Sequence, residues 1–314
     1  EEVRGALPPP GSRIARARLN RGDPPDTGAD ARPEETMSTQ PNATSPAESG
    51  GTDLAAHYRA RVTRTTIVLI AVPTVVLGLI GLAVGFVLPG AALGLVAGAA
   101  LPYWVSRVSE QTVVATLGSH PADQADHARL LNLVDGLCLV SGASHPDVRV
   151  VESEALVALA VHESGSPGTI VVSSGLASRM GRVEMEAVLA HLVSRIRSGE
   201  IALATYVVAL GMVLTRLGLG AVGARVRRAT LEESAILAAD LAACRTTRYP
   251  PALVSALEQV SSSAPADPGI PVVTAPLWFA IPALGGATTG GSPVPIVDAF
   301  QPPLADRIAI GKDI

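Results

Sequence analysis

The chain has 314 residues, of which 48% are hydrophobic and only 17% are charged, and its mean hydropathy is +0.36. This composition is unusual for a soluble protein and predicts a membrane-associated chain of one or two domains. The net charge of −4, without a long run of Lys or Arg, excludes nucleic acid as an expected partner.

The first 53 residues are rich in Pro, Gly, Ser, Thr, Asp and Arg and show almost no apolar periodicity. Such a segment cannot bury enough surface to offset the entropy lost on ordering, so we predict a disordered tail over residues 1–53. Met37 opens an ordinary polar N-terminal sequence. We expect Met37 to be the natural start, with residues 1–36 upstream of it.

Two uncharged apolar runs follow, over residues 67–88 and 91–105. A helix over the first run is about 33 Å long, enough to cross a hydrocarbon core of about 30 Å. Pro89-Gly90 is predicted to break the helix, and Tyr103 and Trp104 suit the membrane–water interface. Residues 54–107 are therefore predicted to form a transmembrane helical hairpin; a buried hairpin of a soluble protein is the alternative.

The basic residues that flank the two runs predict the orientation of the hairpin. Arg59, Arg61 and Arg64 precede the first run, Arg107 follows the second, and the turn between the runs has no charge. The positive-inside rule places both flanks in the cytoplasm. We predict a multi-pass protein of the cell membrane whose main domain, residues 108–314, is cytoplasmic. Cys138 and Cys244 are expected to be reduced and buried on that side.

The rest of the chain is predicted to be a mainly helical domain with a small sheet. Apolar residues recur at helical spacing over residues 123–141, and short strands are predicted over 148–152 and 169–173. A longer helix is predicted from residue 182 to about 199. The fold class predicted for the whole chain is α+β.

Residues 201–224 are apolar apart from Arg216, so whether this segment also crosses the membrane has to be decided separately. Two full spans would need about 40 residues, and a single span would carry Arg225, Arg227 and Arg228 to the far side of the membrane. A helix that docks against the first two spans, or lies shallowly in the bilayer, agrees better with the charges than a crossing helix. A short apolar strand or buried segment is predicted over 277–281, and a flexible linker over 285–291.

The helix over 184–200 contains His191 at the first position of an HExxH-like sequence. In a working motif, two His at i and i+4 bind zinc and the intervening Glu is the general base. For His191 alone, we favour a partly buried helix histidine with a local hydrogen bond over a metal ligand.

Eleven positions match the strand and helix pattern of a known family: Gly142, Pro146, Val148, Val150, Ser174, Gly175, Leu176, Glu184, Val188, Ala190 and His191. Segments that match the same family lie downstream at residues 239–243, 252–258 and 301–308. In their order and spacing these motifs resemble the HtpX-type membrane-embedded zinc metallopeptidases, over roughly residues 61–310. The resemblance implies a zincin-like domain and a zinc metalloendopeptidase activity.

Carried over residue by residue, the resemblance implies a damaged zinc site. His191 is present, but Leu192 stands at the catalytic Glu position and Arg195 at the second His. Ile236 stands at the Glu of the E-x-x-A-D segment, which keeps its Asp240. Leu and Ile have no donor atom, and Arg is a permanent cation that repels a metal ion. We expect no catalytic residue and no bound metal at these positions.

These losses favour a catalytically inactive relative of the family that acts as a scaffold or regulator at the membrane. Its expected partners are the lipid bilayer and a membrane protein or peptide segment, and no cofactor is expected. One alternative is an active metalloprotease whose zinc site is rearranged, with Glu232, Glu233 or His162-Glu163 as replacement ligands. Another is a membrane subunit that shares the architecture and binds a stoichiometric partner.

Overall fold

The structure is a computed structural model that describes residues 46–163, 165–263, 270–282 and 301–314. Most of the predicted tail (residues 1–45) and the predicted linker over 285–291 lie outside these ranges. Residues 46–53, which the sequence assigned to the tail, form the first turns of helix α1.

Two long helices open the described chain and pack along one another: α1 (Pro46–Val84) and α2 (Val87–Thr116). The turn lies at Gly85-Phe86, where Gly85 has a φ of +82°, so the predicted break at Pro89-Gly90 was wrong. Pro89 is instead in the first turn of α2, where its missing N–H has no helical partner to lose.

Glycines allow α1 and α2 to approach closely. A Cβ atom on Gly98 would lie 2.8 Å from the carbonyl oxygen of Ile70, and one on Gly90 would lie 2.5 Å from that of Leu77. Such close backbone contact is typical of helix pairs in membranes. Among the described residues, the helix Leu88–Thr116 is long and apolar enough to span a membrane, whereas α1 contains a shorter apolar stretch, Thr74–Ala83.

The small sheet has four strands in the order β1-β2-β4-β3. They are β1 (His120–Pro121), β2 (Asp147–Val151), β3 (Ala158–Val161) and β4 (Thr169–Ser173). Strands β2 and β4 pair in parallel, and the other pairs are antiparallel. The two predicted strands are confirmed as β2 and β4. Strand β3 escaped prediction because both of its faces are buried, which leaves an apolar run without alternation.

Eight further helices are described after α2, and the predicted helix from residue 182 to about 199 is confirmed as α5. They are α3 (Gln124–Ser141), α4 (Ser174–Arg179), α5 (Arg182–Ser198), α6 (Glu200–Arg216), α7 (Gly220–Thr230), α8 (Glu233–Thr247), α9 (Pro250–Ser261) and α10 (Leu304–Lys312). Helix α5 is buried along most of its length and packs against α3, α8 and α9. Cys138 and Cys244 are free and buried, as predicted.

The region over residues 201–224 is a helical hairpin rather than one helix. Helix α6 follows α5 at a bend of 84° and packs against α1 and α2, while the membrane association of this segment stays a prediction. Gly218, with a φ of +78°, turns the chain into α7, which packs back on α6. The predicted segment over 277–281 is buried, but it forms a single antiparallel bridge, at Trp278, after the 3-10 turn Val272–Leu277.

Candidate functional site

Helix α5 places His191 in the interior, where its side chain is completely buried. Its Nδ1 lies 2.8 Å from Oδ1 of Asp240 on the neighbouring helix α8. The hydrogen bond therefore joins two helices across 49 residues of sequence, and the interpretation of His191 as a helix histidine with a local partner was wrong. A carboxylate on one imidazole nitrogen is the arrangement that orients a metal-ligating histidine.

Asp240 is shared between His191 and an arginine from the last helix. Arg307 donates from Nε to Oδ2 and from Nη2 to Oδ1, both at 2.7 Å, and its Nη1 donates to the carbonyl of Phe279 at 2.8 Å. Burial raises the pKa of Asp240, but the charge of Arg307 and the bonds from Arg307 and His191 outweigh it and hold that pKa at about 2. Asp240 is therefore ionised at neutral pH.

The imidazole itself is neutral at neutral pH. Burial lowers the pKa of His191 to about 4, although the bond to Asp240 opposes the shift. Its Nε2 is buried without a hydrogen-bond partner among the described residues. The ring of Phe279 stands edge-on to the imidazole, with centroids 5.1 Å apart, and the guanidinium of Arg307 lies 5.3 Å from the centre of the same ring.

Arg195, one turn after His191, forms a second buried ion pair. Its Nε and Nη2 donate to the two carboxylate oxygens of Glu200 at 2.6 and 3.0 Å. The same guanidinium donates to the carbonyls of Pro276 and Trp278. Gly199, with a φ of +76°, makes the bend between α5 and α6 that brings Glu200 back to Arg195. At the position of the second zinc-binding His, the chain therefore has a buried cation that donates four hydrogen bonds.

A short segment of the chain, residues 275–279, is clamped beside these residues. Gln301 donates to the carbonyls of Ala275 and Trp278, at 3.0 and 2.7 Å, so that together with Arg195 and Arg307 three side chains hold the segment. The amide of Phe279 donates to the carbonyl of Ala158 at 2.7 Å. Trp278 forms an antiparallel bridge with Leu159, and the chain's own backbone thus pairs with strand β3 next to His191.

The residues present do not fit the zinc ion that the motif implies. Leu192 and Ile236 are buried hydrocarbons, and Arg195 is committed to Glu200. Within the described ranges, there is no group of three or more His, Cys, Asp or Glu side chains able to hold a metal ion. The proposed substitutes lie elsewhere: Glu232 pairs with Arg61, and the amide of Glu163 is held by Glu110.

Sequence reasoning named His191 and Asp240 as retained motif residues without pairing them, and it missed four neighbours: Glu200, Phe279, Gln301 and Arg307. Gln301 and Arg307 lie in the segment over 301–308 that was matched as a family pattern without a role. Glu200 directly follows the glycine that ends α5, and an acidic residue five positions after a buried Arg was the available signal. Phe279 had none, because its contact with His191 depends on the whole fold.

A buried helix that carries an HExxH-like histidine, paired to an aspartate on a second helix and packed beside a small mixed sheet, defines a zincin-like metallopeptidase domain. Residues 124–256 match the family model described as Peptidase family M48. Over this match the chain is similar to the HtpX-type members of that family.

The curated relatives agree with that assignment at modest identity. A protein named Protease HtpX homolog from Dictyoglomus thermophilum is 26% identical, over 66% of this chain and 76% of the relative. Another of that name from Streptococcus pneumoniae is 27% identical, over 78% of this chain and 95% of the relative. The search of solved structures gave no significant match.

Proposed function

We propose that this protein is a catalytically inactive member of the family and acts as a membrane-anchored scaffold or regulator. One observation carries the proposal: the residue at the second zinc-ligand position, Arg195, is a buried cation held bidentately by Glu200 and by two backbone carbonyls. A guanidinium stays charged at all accessible pH values, so it neither binds zinc nor moves away without leaving Glu200 unpaired in the interior.

The charge balance of the centre supports the same proposal. Asp240 is neutralised by Arg307 and Glu200 by Arg195, while His191 is uncharged. A zinc site of the ordinary kind gains much of its affinity from anionic or neutral donors that converge on the dication. Here the donors that remain are already engaged, and buried Leu192 and Ile236 add about 1.5–3 kcal/mol of hydrophobic burial each.

The clamped segment 275–279 supports a role without substrate cleavage. Extended peptides are commonly captured by adding a strand to an open sheet edge. In this chain Trp278 and Phe279 already pair with β3, and the ring of Phe279 stands beside the imidazole of His191. A peptide reaching His191 along β3 has to displace a segment held by three side chains.

Membrane attachment by α1 and α2 is the second part of the proposal. Both helices expose a continuous set of large apolar side chains that a soluble protein buries. These are Ile67, Val68, Val75, Val76, Leu79, Ile80, Leu82, Phe86, Leu88, Leu93, Leu95, Val96, Tyr103 and Trp104. We propose that α1 and α2 cross the cell membrane as a hairpin and that the domain after α2 is cytoplasmic.

Metal content and proteolysis of the purified, membrane-extracted protein test the inactive assignment. The expected result is zinc far below one equivalent and no chelator-sensitive cleavage of casein. About one equivalent of tightly held zinc, as a structural or catalytic site binds, together with chelator-sensitive cleavage would establish the active metalloprotease instead. A stoichiometric partner recovered from native membranes under mild detergent would identify what the scaffold binds.

A further inference from the structure

We infer that the clamped segment, residues 275–279, is an internal ligand of the β3 edge, held through its backbone and exchangeable with an extended apolar peptide of the same shape. The inference rests on the proposed scaffold function and deepens it, because it names the chemical class of partner that this site accepts. In the unliganded protein the chain itself fills the edge, so a partner peptide binds only by displacing the segment.

Strand β3 lies at one edge of the sheet, where it pairs with β4 on one side. An edge strand leaves a row of backbone N–H and C=O groups available to a further strand. The clamped segment takes this place. Trp278 makes an antiparallel bridge with Leu159, and its own backbone is extended, with a φ of −75° and a ψ of 152°. The amide of Phe279 donates to the carbonyl of Ala158 at 2.7 Å. The segment therefore lies on β3 as an added peptide strand does.

The side chains that hold the segment contact its backbone carbonyl oxygens. Five hydrogen bonds are made, with donor–acceptor distances between 2.7 and 3.3 Å. The donors are Arg195, Gln301 and Arg307, and the acceptors are the carbonyls of Ala275, Pro276, Trp278 and Phe279. Every peptide has such carbonyl groups, so these contacts select an extended backbone and do not select a sequence.

The buried side chains of the segment define the composition of a competing peptide. Leu277, Trp278 and Phe279 are at most 2% exposed, so a competitor needs apolar residues at these three positions. The edge of the Phe279 ring contact with the imidazole of His191, at a centroid distance of 5.1 Å, favours an aromatic residue there. The indole N–H of Trp278 donates to Thr274, so a competitor that includes this threonine satisfies its own tryptophan.

The charged groups around the segment favour an uncharged partner. Arg195 is paired with Glu200 and Arg307 with Asp240, so both guanidinium groups are neutralised by a carboxylate of the protein. An acidic or basic side chain of a peptide would be buried here without a free counter-charge, which is costly. The partner that fits is therefore an extended, apolar and uncharged peptide segment with an aromatic residue at the position of Phe279.

Competition by a synthetic peptide tests the inference on the full-length protein in detergent. The probe is a fluorescent peptide with the sequence of residues 274–281, TAPLWFAI, and a lysine tail for solubility; its anisotropy reports binding. The wild type, whose edge is filled, should bind it about tenfold more weakly than Trp278→Ala/Phe279→Ala, whose own segment lacks the two buried rings. The control for partition into detergent is the same peptide methylated at the amide that matches Phe279. This peptide has no N–H for the carbonyl of Ala158 and should bind neither protein.

Hydrogen exchange provides a second measurement that does not depend on the folding of that double variant. Gln301→Ala removes two of the five bonds to the segment, so the amides of the clamped segment should exchange about tenfold faster, while those of β4 stay unchanged. The matched control is Gln259→Ala on α9, whose side chain donates to Ser255 of the same helix. This variant should leave the exchange of the clamped segment as it is in the wild type.

Equal binding of the peptide by the wild type and Trp278→Ala/Phe279→Ala, or no binding by this variant in its folded form, would overturn the inference. Binding that survives methylation of the amide would overturn it as well. An acceleration of exchange in Gln301→Ala that spreads over the whole domain would show that the segment is a fixed part of the core. Failure of the proposed function gives a different result, because an active metalloprotease would cleave the peptide in a chelator-sensitive reaction.

Discussion

Arg195 and Glu200 form a buried bidentate ion pair across the bend between α5 and α6, with N–O distances of 2.6 and 3.0 Å. The pair stands where an HExxH helix would present its second zinc-binding histidine. It ties the end of α5 to the start of α6 and, through the carbonyls of Pro276 and Trp278, to the segment beside His191. In this chain the position four residues after His191 is therefore engaged in a contact between two protein groups.

Replacing one residue of this ion pair should lower the unfolding free energy much more than replacing both residues. Arg195→Met leaves the carboxylate of Glu200 uncompensated in the interior and is expected to cost about 3–5 kcal/mol of unfolding free energy. Arg195→Met/Glu200→Met should recover most of that loss, because the hydrocarbon replaces both charges. Thermal unfolding in detergent, followed by the fluorescence of the tryptophans, measures the difference.

The exposed Arg197, two residues further on, supplies the control for that pair. Arg197→Met should change the unfolding free energy by less than about 0.5 kcal/mol, as is usual for a surface position. If Arg195→Met is as mild as Arg197→Met, the ion pair does not hold the bend between α5 and α6.

The depressed pKa of His191 predicts that acid destabilises the fold well before the carboxylates titrate. In the folded protein that pKa is about 4, against an ordinary value of 6.5, so between these pH values the unfolded chain binds a proton that the folded chain does not. The stabilising contribution of neutral His191 is complete above pH 6.5 and decreases as the pH falls. By pH 4 the loss of unfolding free energy amounts to roughly 3 kcal/mol. Unfolding measured from about pH 7.5 down to about pH 4 gives the slope.

His191→Gln is the matched variant for this pH dependence, since an amide still donates to Asp240 but does not titrate. The variant should lose the slope between pH 6.5 and 4 that is specific to His191. The contribution of Asp240 lies lower, because its folded pKa of about 2 is below the ordinary 3.8, and it disappears only as the pH falls through that interval. Identical pH profiles for the wild type and His191→Gln would show that His191 does not titrate in this window.

Removing Arg307 should change both stability and the titration of its neighbours. Arg307→Ala leaves Asp240 with a single partner and is expected to cost about 3–5 kcal/mol. The charge of Arg307 also lowers the pKa of His191, so in the variant that pKa should rise, and NMR of labelled histidine measures it. The control lies in the same helix: Lys312→Ala breaks an exposed pair with Glu258 and should cost less than about 1 kcal/mol.

The parts of this structure that sequence could predict are those set by local periodicity. The apolar faces of α5 and the strand Thr169–Ser173 follow from spacing alone, and the positions of His191 and Asp240 followed from the family pattern. The turn between α1 and α2 was predicted at Pro89-Gly90 but lies at Gly85-Phe86. The error arose because a proline inside an apolar run usually indicates a helix break, whereas the first turn of a helix accepts proline.

The remainder depends on contacts between distant residues. Arg307 reaches Asp240 across 67 positions, and Trp278 reaches Leu159 across more than a hundred, with no local signal for either contact. The hairpin of α6 and α7 was predicted as one helix because its apolar run is continuous, and only Gly218 and Gly220 marked the turn. Partners of buried charges were therefore the main omission.

The glycine contacts between α1 and α2 can be tested separately from the site. Gly98→Val places a Cβ within 2.8 Å of a backbone oxygen of Ile70, so the helices must separate, at a cost of about 1–3 kcal/mol. A Cβ on Gly136, in the middle of α3, would meet no described atom within 4 Å, and Gly136→Ala should instead stabilise the protein by up to about 1 kcal/mol. Melting temperatures in detergent check both, and a neutral Gly98→Val would argue against close packing of the two helices.

Rebuilding the motif tests whether the replaced ligands account for the proposed inactivity. Leu192→Glu, Arg195→His and Ile236→Glu restore the missing donors, but they also leave Glu200 without its arginine, so this triple variant should be unstable. Adding Glu200→Gln removes the stranded charge, and the quadruple variant is expected to fold and to bind about one equivalent of zinc. The matched control keeps Glu200→Gln and the two glutamates but retains Arg195, whose charge should exclude the metal. A folded quadruple variant without zinc would show that the geometry around His191 and Phe279 has diverged along with the ligands.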